Sequence, residues 1–139
     1  MKSKYTPLVK LKKKELDKCE QEVIKANRAF QDATNALEDS YLFLATLSLP
    51  SSGSIGELLQ IQSIITAQHQ TIEENTQALA MTTAHQLQTK RRFKKAMIEY
   101  EKFNYLQTQE LNAYQAKIKK EEAKMLDEIG VITYKSEPV

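Results

Sequence analysis

A heptad pattern of apolar residues near the start of the chain constrains the fold more than any other feature. The apolar side chains recur at steps of three, four or seven residues, at Val9, Leu16, Cys19, Val23, Ala26, Phe30, Ala33, Leu37, Leu44 and Leu47. A repeat that averages 3.5 residues places them along one narrow seam of an α-helix, where they pack against a partner helix. The pattern predicts a coiled coil, an architecture that offers no pocket for catalysis.

Helix start and stop signals divide the chain into two long helices. Thr6 followed by Pro7 is typical of a helix start, and Ser54 with Glu57 has the spacing of a capping box. Gly130 is a natural C-terminal stop. We therefore expect helix one over about 7–48, a turn at 49–54, helix two over about 55–129 and a tail at 130–139. The expected fold is all-α, an antiparallel coiled-coil hairpin with a longer second helix, forming one elongated domain over residues 1–139.

A short connection makes neighbouring helices antiparallel. If the chain folds back between residues 51 and 52, opposed residue numbers sum to about 103, which places Val9 opposite Phe93 and Lys94. Helix two would then have no partner from Ala96 onward. That stretch remains apolar at helical spacing and so predicts a binding surface; its apolar residues are Met97, Tyr100, Phe103, Leu106, Leu111, Tyr114, Ile118 and Met125.

The seam of helix two is more polar than that of helix one. One layer keeps a seven-residue phase through Leu58, Ile65, Ile72 and Leu79, with Gln86 and Gln107 interrupting it further on. The alternate layer is expected to carry Gln62, His69, Thr76 and Thr83. Polar residues at seam positions fix the register and lower the stability.

Charge is unevenly distributed, although the formal net charge is only +2. Residues 1–14 contain six lysines, residues 90–95 contain five basic residues, and neither run contains an acid. With the expected register both runs lie at the same end of the hairpin and can orient an acidic partner. Residues 15–89 carry ten acids against three bases, and this excess argues against nucleic acid as the partner.

Several function classes are disfavoured by what the chain lacks. Cys19 has no cysteine partner, and His69 and His85 lie about 24 Å apart along one helix, too far to share a metal ion. There is no phosphate-binding glycine loop. No run approaches the roughly 20 apolar residues that span a bilayer. We expect a cytoplasmic protein that is not an enzyme, has no cofactor or metal and does not insert into the membrane.

Two terminal motifs, together with the hairpin, resemble the flagellar export protein family FliJ. The first is Lys4-Tyr5-x-x-Leu8-x-x-Leu11, and the second is the E-x-K-x-x-D-E run from Glu122 to Glu128. The resemblance implies a coiled coil similar to the central stalk of rotary ATPases. It implies binding to the hexameric flagellar export ATPase, contact with the export gate protein FlhA, escort of free export chaperones, and peripheral association with the inner membrane. Such a chain would be monomeric when free.

The resemblance also implies two contact surfaces. The candidates for contact with the ATPase lie near the termini and the second basic run, at Leu8, Leu11, Lys12, Lys13, Arg91, Arg92, Met97 and Tyr100. The candidates for contact with the gate lie early in helix two, at Leu58, Gln62, Ile65 and His69, with Tyr41 near Gln62 across the hairpin. Leu58 and Ile65 are equally well explained as seam residues, and His69 as a polar residue that sets the register.

Three other functions stay open at this stage. The chain could be a homodimeric structural coiled coil in which two unpaired stretches of helix two meet. It could be the equivalent stalk protein of an injectisome secretion system. A nucleic-acid-binding arm is the third, and it predicts an affinity that falls steeply with salt.

Overall fold

The computed structural model describes residues 3–49 and 53–136, which form two α-helices. Helix α1 spans Thr6–Thr46 and helix α2 spans Ile55–Ser136. The described residues contain no β-strand, and α2 packs antiparallel against α1. The predicted fold class, an all-α antiparallel hairpin whose second helix is the longer one, is confirmed.

The α1 seam is the heptad pattern seen in the sequence. All ten predicted positions are half-buried or buried, and Leu16 and Ala26 are the most enclosed of them. On α2 the most enclosed apolar side chain is Ile72, and the small polar Thr89 is almost completely buried. Such a thin core is what a two-helix pair allows, because each helix hides only one stripe of its surface.

The start of α2 agrees with the sequence signal, whereas the start of α1 differs from it. The Glu57 amide donates to Ser54 Oγ at 3.2 Å, as a capping box requires. In α1 the cap is Ser3, whose Oγ accepts from the Tyr5 amide at 3.1 Å. The Thr6 hydroxyl, expected to be the cap, instead accepts from Gln107 Nε2 at 2.9 Å. The Thr6 hydroxyl, which the sequence predicts to cap α1, is therefore hydrogen-bonded to α2 instead.

The helix ends also differ from the expected bounds. Helix α1 ends at Thr46, two residues before the expected end, and α2 continues through Gly130 to Ser136. A glycine inside a helix costs about 1 kcal/mol relative to alanine, which the hydrogen-bonded turns on either side can absorb. The expected centre of the turn, at residues 50–52, and the end of the tail, at residues 137–139, lie outside the described residues. So does Lys2 of the first basic run.

The register differs from the expected one by about ten residues. Ser3 bonds Glu110, Thr6 bonds Gln107 and Asn27 bonds Gln86, so opposed residue numbers sum to 113 rather than 103. The expectation assumed a symmetric fold-back at the turn. In the structure the last residue of α1 lies opposite about residue 67, and the first three turns of α2 extend past it. The observed alignment coincides with polar side chains that hydrogen-bond across the two helices. It does not follow from the midpoint of the connection.

The polar layer of α2 is also displaced by one residue from the expected one. The half-buried or buried side chains are Ile61, Gln68, Asn75, Thr82 and Thr89, whereas Gln62, His69, Thr76 and Thr83 are exposed. Both sets recur every seven residues and both are mostly polar. Apolar content could therefore not tell the two phases apart.

Contacts divide the chain into two compact units. The central unit is Asp17–Lys95, and the terminal unit combines Met1–Leu16 with Ala96–Val139. In the terminal unit the segment just before α1 hydrogen-bonds α2 at Glu110, which accepts from the Ser3 hydroxyl at 2.9 Å. The part of α2 that extends past this bond therefore begins at Leu111 and not at Ala96. Residues 111–136 are called the overhang below.

Candidate partner-binding surfaces

The terminal unit contains six of the eight residues assigned to the ATPase, here called the terminal surface: Leu8, Leu11, Lys12, Lys13, Met97 and Tyr100. Two of its lysines lie over aromatic rings of α2. Lys13 Nζ is 5.5 Å from the centre of the Tyr100 ring, and Lys12 Nζ is 5.8 Å from that of Phe103. A cation over a ring face contributes about 0.5–1 kcal/mol at an exposed site. These lysines therefore help to hold α1 on α2, besides adding positive charge.

The apolar members of the terminal surface divide into exposed and half-buried residues. Leu8 and Leu11 are three residues apart, so they share one face of α1, and Leu11 is 51% exposed. Met97 and Tyr100 are half-buried on α2. Leu11 and, to a lesser extent, Leu8, which is 38% exposed, therefore present apolar surface to solvent, as an anchor for a partner must.

Sequence reasoning missed the residues that hold the N-terminus of α1 in place. The Tyr5 ring lies 6.5 Å from the Phe103 ring, and Lys4 Nζ is 5.3 Å from the centre of the Tyr5 ring. Lys12 Nζ also lies 3.5 Å from Glu15 Oε2. Phe103 was expected to be unpaired, because the expected register ended the hairpin at Ala96. A prediction made with the observed register would have paired the lysine residues of α1 with the aromatic residues of α2.

Arg91 and Arg92 belong to the central unit, where both are exposed. In that unit the observed register places residues 90–95 opposite about residues 18–23 of α1. That stretch includes Glu20 and Glu22. The expected juxtaposition of this basic run with residues 8–13 is therefore wrong, because it followed from the sum of 103.

The five residues assigned to the gate lie in the central unit and are here called the turn surface: Tyr41, Leu58, Gln62, Ile65 and His69. Gln62 and His69 are exposed, and Leu58 and Ile65 are half-buried. Their spacing of four, three and four residues keeps all four on one side of α2. Because α1 ends opposite about residue 67, Leu58 and Gln62 lie beyond its last turn.

Tyr41 does not lie beside Gln62. Its neighbour Ser40 accepts from Gln68 Nε2 at its backbone oxygen, at 2.9 Å, and from Asn75 Nδ2 at its hydroxyl. Tyr41 is therefore level with residues 68–75, at least six residues or roughly 9 Å along α2 from Gln62. The residue of the turn surface nearest its level is His69. The Tyr41 side chain is 54% exposed.

The central unit is acidic around the turn surface. Residues 29–89 contain six acids and no lysine or arginine. A shallow groove of about 640 Å³ runs along α2 in this unit, lined by Thr76, Leu79, Ala80, Thr83, Ala84, Gln86, Leu87 and Lys90. Lys90 is the one ionisable residue of this lining.

Residues 3–49 and 53–136 contain neither a metal-binding cluster nor a membrane-spanning helix. No group of three His, Cys, Asp or Glu side chains there is arranged to hold a metal ion. No helix in the described part of the chain contains an apolar stretch long enough to cross a bilayer.

Comparison with models of known protein families gives a match. The family model described as "Flagellar FliJ protein" matches residues 1–138. No curated protein matches the chain, and no solved structure does.

Proposed function

Because the chain belongs to the flagellar FliJ family, whose model covers residues 1–138, we propose that it is the stalk-like subunit of the flagellar export ATPase. Membership of this family makes the chain a component of the flagellar type III export apparatus. The proposal goes further. The chain binds the ATPase hexamer, promotes its assembly and raises its rate of hydrolysis.

The observation that carries the proposal is the combination of this family match with an exposed terminal surface. Leu8 and Leu11 are exposed beside a run of lysines that has no acid before Glu15. Exposed apolar side chains next to one sign of charge suit a partner with an apolar pocket and an acidic rim. Such a surface gives affinity through the leucines and orientation through the lysines.

A pair of antiparallel helices has no rotational symmetry about its long axis. When such a pair enters a ring of six identical subunits, each subunit meets a different face of it. The six nucleotide sites then differ in environment, and this asymmetry can couple ATP hydrolysis to opening of the export gate. The mechanism requires contact only, so it needs no catalytic residue from this chain.

The ATPase contact is tested by mixing the purified chain with the export ATPase and measuring hexamer formation and hydrolysis rate. Wild type should raise both. Leu11→Asp should weaken the effect at least tenfold, because it puts a charge into an apolar contact. The matched control is Leu87→Asp on α2, since Leu87 is also 51% exposed.

Charge reversal at Arg91 and Arg92 tests the second part of the ATPase contact. The double variant should lower the apparent affinity, and the loss should shrink at high salt because exposed charges are screened. Reversal of Lys18 and Lys25, also in the central unit, is the control with the same change in charge. If wild type leaves both the hexamer and the rate unchanged, the proposed stalk function is wrong.

The proposal extends to a second contact, between the turn surface and the gate protein FlhA. Gln62 and His69 are exposed on one side of α2, and Tyr41 is exposed at the level of His69. Exposed aromatic and polar side chains of this kind are common anchors in protein interfaces. Leu58 and Ile65 would add apolar contact at the edge of that face.

Titration of the cytoplasmic part of FlhA with the chain tests this contact. Gln62→Ala and His69→Ala should each lower the affinity, and the double variant should lower it about tenfold or more. Gln60→Ala is the matched control, because Gln60 is exposed on the other side of the same helix. Equal effects of Gln60→Ala and Gln62→Ala would contradict the assignment of this face.

Two further parts of the proposal concern cargo and location. The chain binds free export chaperones and returns them for another round of export. It resides in the cytoplasm and reaches the inner membrane only through the export apparatus. Fractionation of cells with and without the export gate tests the second point, since loss of the gate should release the chain from the membrane fraction.

A further inference from the structure

The overhang carries an apolar stripe whose residue numbers are symmetric about its centre. Its members lie within about 40° of one line on the helix surface, at 100° per residue. They are Leu111, Tyr114, Ile118, Met125, Ile129 and Ile132. The spacing reads three, four, seven, four and three residues, and is therefore the same from either end.

Most of this stripe is exposed, although Leu111 and Ile118 are half-buried and Tyr114 is 38% exposed. It begins one residue after Glu110, which accepts a hydrogen bond from Ser3, just before the start of α1. Met125 is 62% exposed and Ile132 is 66% exposed, and Ile129 is also more than half exposed. Monomers rarely leave so long an apolar stripe in water.

From these observations we propose that the overhang pairs with the overhang of a second copy of the chain, antiparallel and about a two-fold axis. When opposed residue numbers sum to 243, Leu111 meets Ile132, Tyr114 meets Ile129, and Ile118 meets Met125. Every apolar residue of the stripe then meets an apolar residue of the other copy. A two-fold contact needs a surface that is complementary to itself, and the symmetric spacing provides one.

The charges beside the stripe select the antiparallel direction. Residues 111–120 contain three lysines and no acid, whereas residues 121–128 contain four acids and one lysine. A parallel pair would bring the lysines of the two copies together. The antiparallel pair places the basic half of each overhang against the acidic half of the other.

Individual flanking residues have opposite charges in this arrangement. Lys117 and Glu128 lie on the same flank of the stripe and come within two residues, or about 3 Å, of the same level. Glu121 of one copy and Lys124 of the other come equally close on that flank. Lys119 and Glu122 come equally close on the other flank. The glutamates near the two-fold axis, which would otherwise repel each other, therefore each have a lysine in reach.

The inference does not rest on the proposed function, because it concerns the free chain. If the ATPase takes up the terminal unit, self-pairing competes with it and keeps the stripe covered until a ring is present. The expectation of a monomeric free chain then applies only below the dissociation constant of the pair.

Sedimentation equilibrium of the full chain over a range reaching about 100 µM tests the pairing. Wild type should form a dimer in a concentration-dependent way. Met125→Lys should lower the association constant at least tenfold. The circular dichroism spectrum of the variant should remain that of a helical protein. This control distinguishes loss of pairing from loss of helical structure. A wild-type chain that stays monomeric throughout the range would overturn the proposal.

Charge variants test the direction of the pair. Lys117→Glu should lower the association constant several-fold, and Lys117→Glu with Glu128→Lys should restore it, because both flanking pairs are then reversed together. Lys120→Glu is the matched control, since Lys120 lies on the side opposite the stripe and should have no effect. Equal effects of Lys117→Glu and Lys120→Glu would contradict the assigned flank.

Disulfide trapping in a Cys19→Ser background gives an independent test of direction. Glu122→Cys lies next to the two-fold axis and should cross-link two chains on oxidation. Ile132→Cys should not, because the two copies of residue 132 are about 30 Å apart in the antiparallel pair. Efficient cross-linking through Ile132→Cys would show a parallel pair and overturn the proposal.

Discussion

The polar cluster around Ser40 should fix the register of the central unit, and a double-mutant cycle measures its contribution. Ser40 is 6% exposed, and its hydroxyl accepts from Asn75 Nδ2 at 2.5 Å while donating to the Ala36 oxygen at 2.7 Å. Asn75 Nδ2 also reaches the Ala36 oxygen at 3.3 Å. The Asn75 side chain therefore ties α2 to two positions on α1.

The magnitude follows from these bonds. A hydrogen bond contributes about 0.5–1.5 kcal/mol net, so Asn75→Ala loses about 2 kcal/mol for two bonds and regains about 0.5 kcal/mol of helix propensity. Ser40→Ala loses about 1 kcal/mol, since Asn75 keeps its bond to Ala36. The coupling energy between the two substitutions should be about 1 kcal/mol, and the propensity terms cancel from it.

Urea unfolding followed by circular dichroism gives the four free energies of the cycle. Asn112→Ala is the matched control, because Asn112 is exposed on the same helix, and it should be neutral or slightly stabilising. A coupling energy below about 0.3 kcal/mol would refute the reasoning, since that is the range of independent sites. It would mean that water satisfies the Asn75 amide equally well.

Two more predictions concern the terminal unit. Gly130→Ala should stabilise the helix of the overhang by about 0.5–1 kcal/mol, because Gly130 is helical and an added Cβ meets nothing within 4 Å. Thermal scans followed by circular dichroism should show increased helicity, and a loss of helicity would contradict the prediction. Phe103→Leu should lower the stability of the terminal unit by about 1 kcal/mol, because Phe103 lies beside the Tyr5 ring and under Lys12. Amide hydrogen exchange at residues 9–12 should then become about fivefold faster. The control Tyr105→Leu changes an exposed ring and should leave this exchange rate unchanged.

The sequence was sufficient for the number and type of the helices, but not for the cap of α1 or the end of α2. A heptad of apolar residues can lie only on one face of a helix, so the α1 seam from Val9 to Leu47 was predicted at every position. Ser54 and Glu57 likewise fixed the start of α2, because a capping box acts within four residues of chain. Local patterns of this kind depend on neighbours along the chain, which the sequence supplies directly.

The relation between the two helices was harder to predict. The register depends on pairs such as Asn27 with Gln86, whose partners lie far apart in sequence and are chemically interchangeable with other polar residues. The polar layer of α2 had two equivalent phases for the same reason. The error in register also led to wrong neighbours for residues on the predicted contact surfaces. The expected register puts Tyr41 beside Gln62 and leaves Phe103 unpaired, and both predictions are wrong.

The partner-binding residues depend on molecules that the chain does not contain. Exposure at Leu11 or Gln62 identifies side chains that are available for contact, but every exposed residue meets that condition. Charge and apolar character narrow the choice to two surfaces. The partner on each surface is the part that requires a direct measurement.

Photo-cross-linking in living cells tests the central claim, that separate surfaces of one chain contact the ATPase and the gate. A photoreactive amino acid is placed at Leu11 in one strain and at Gln62 in another, and the cross-linked proteins are identified. We expect Leu11 to capture the export ATPase and Gln62 to capture FlhA. Capture of the same protein from both positions, or of neither protein from either, would contradict it.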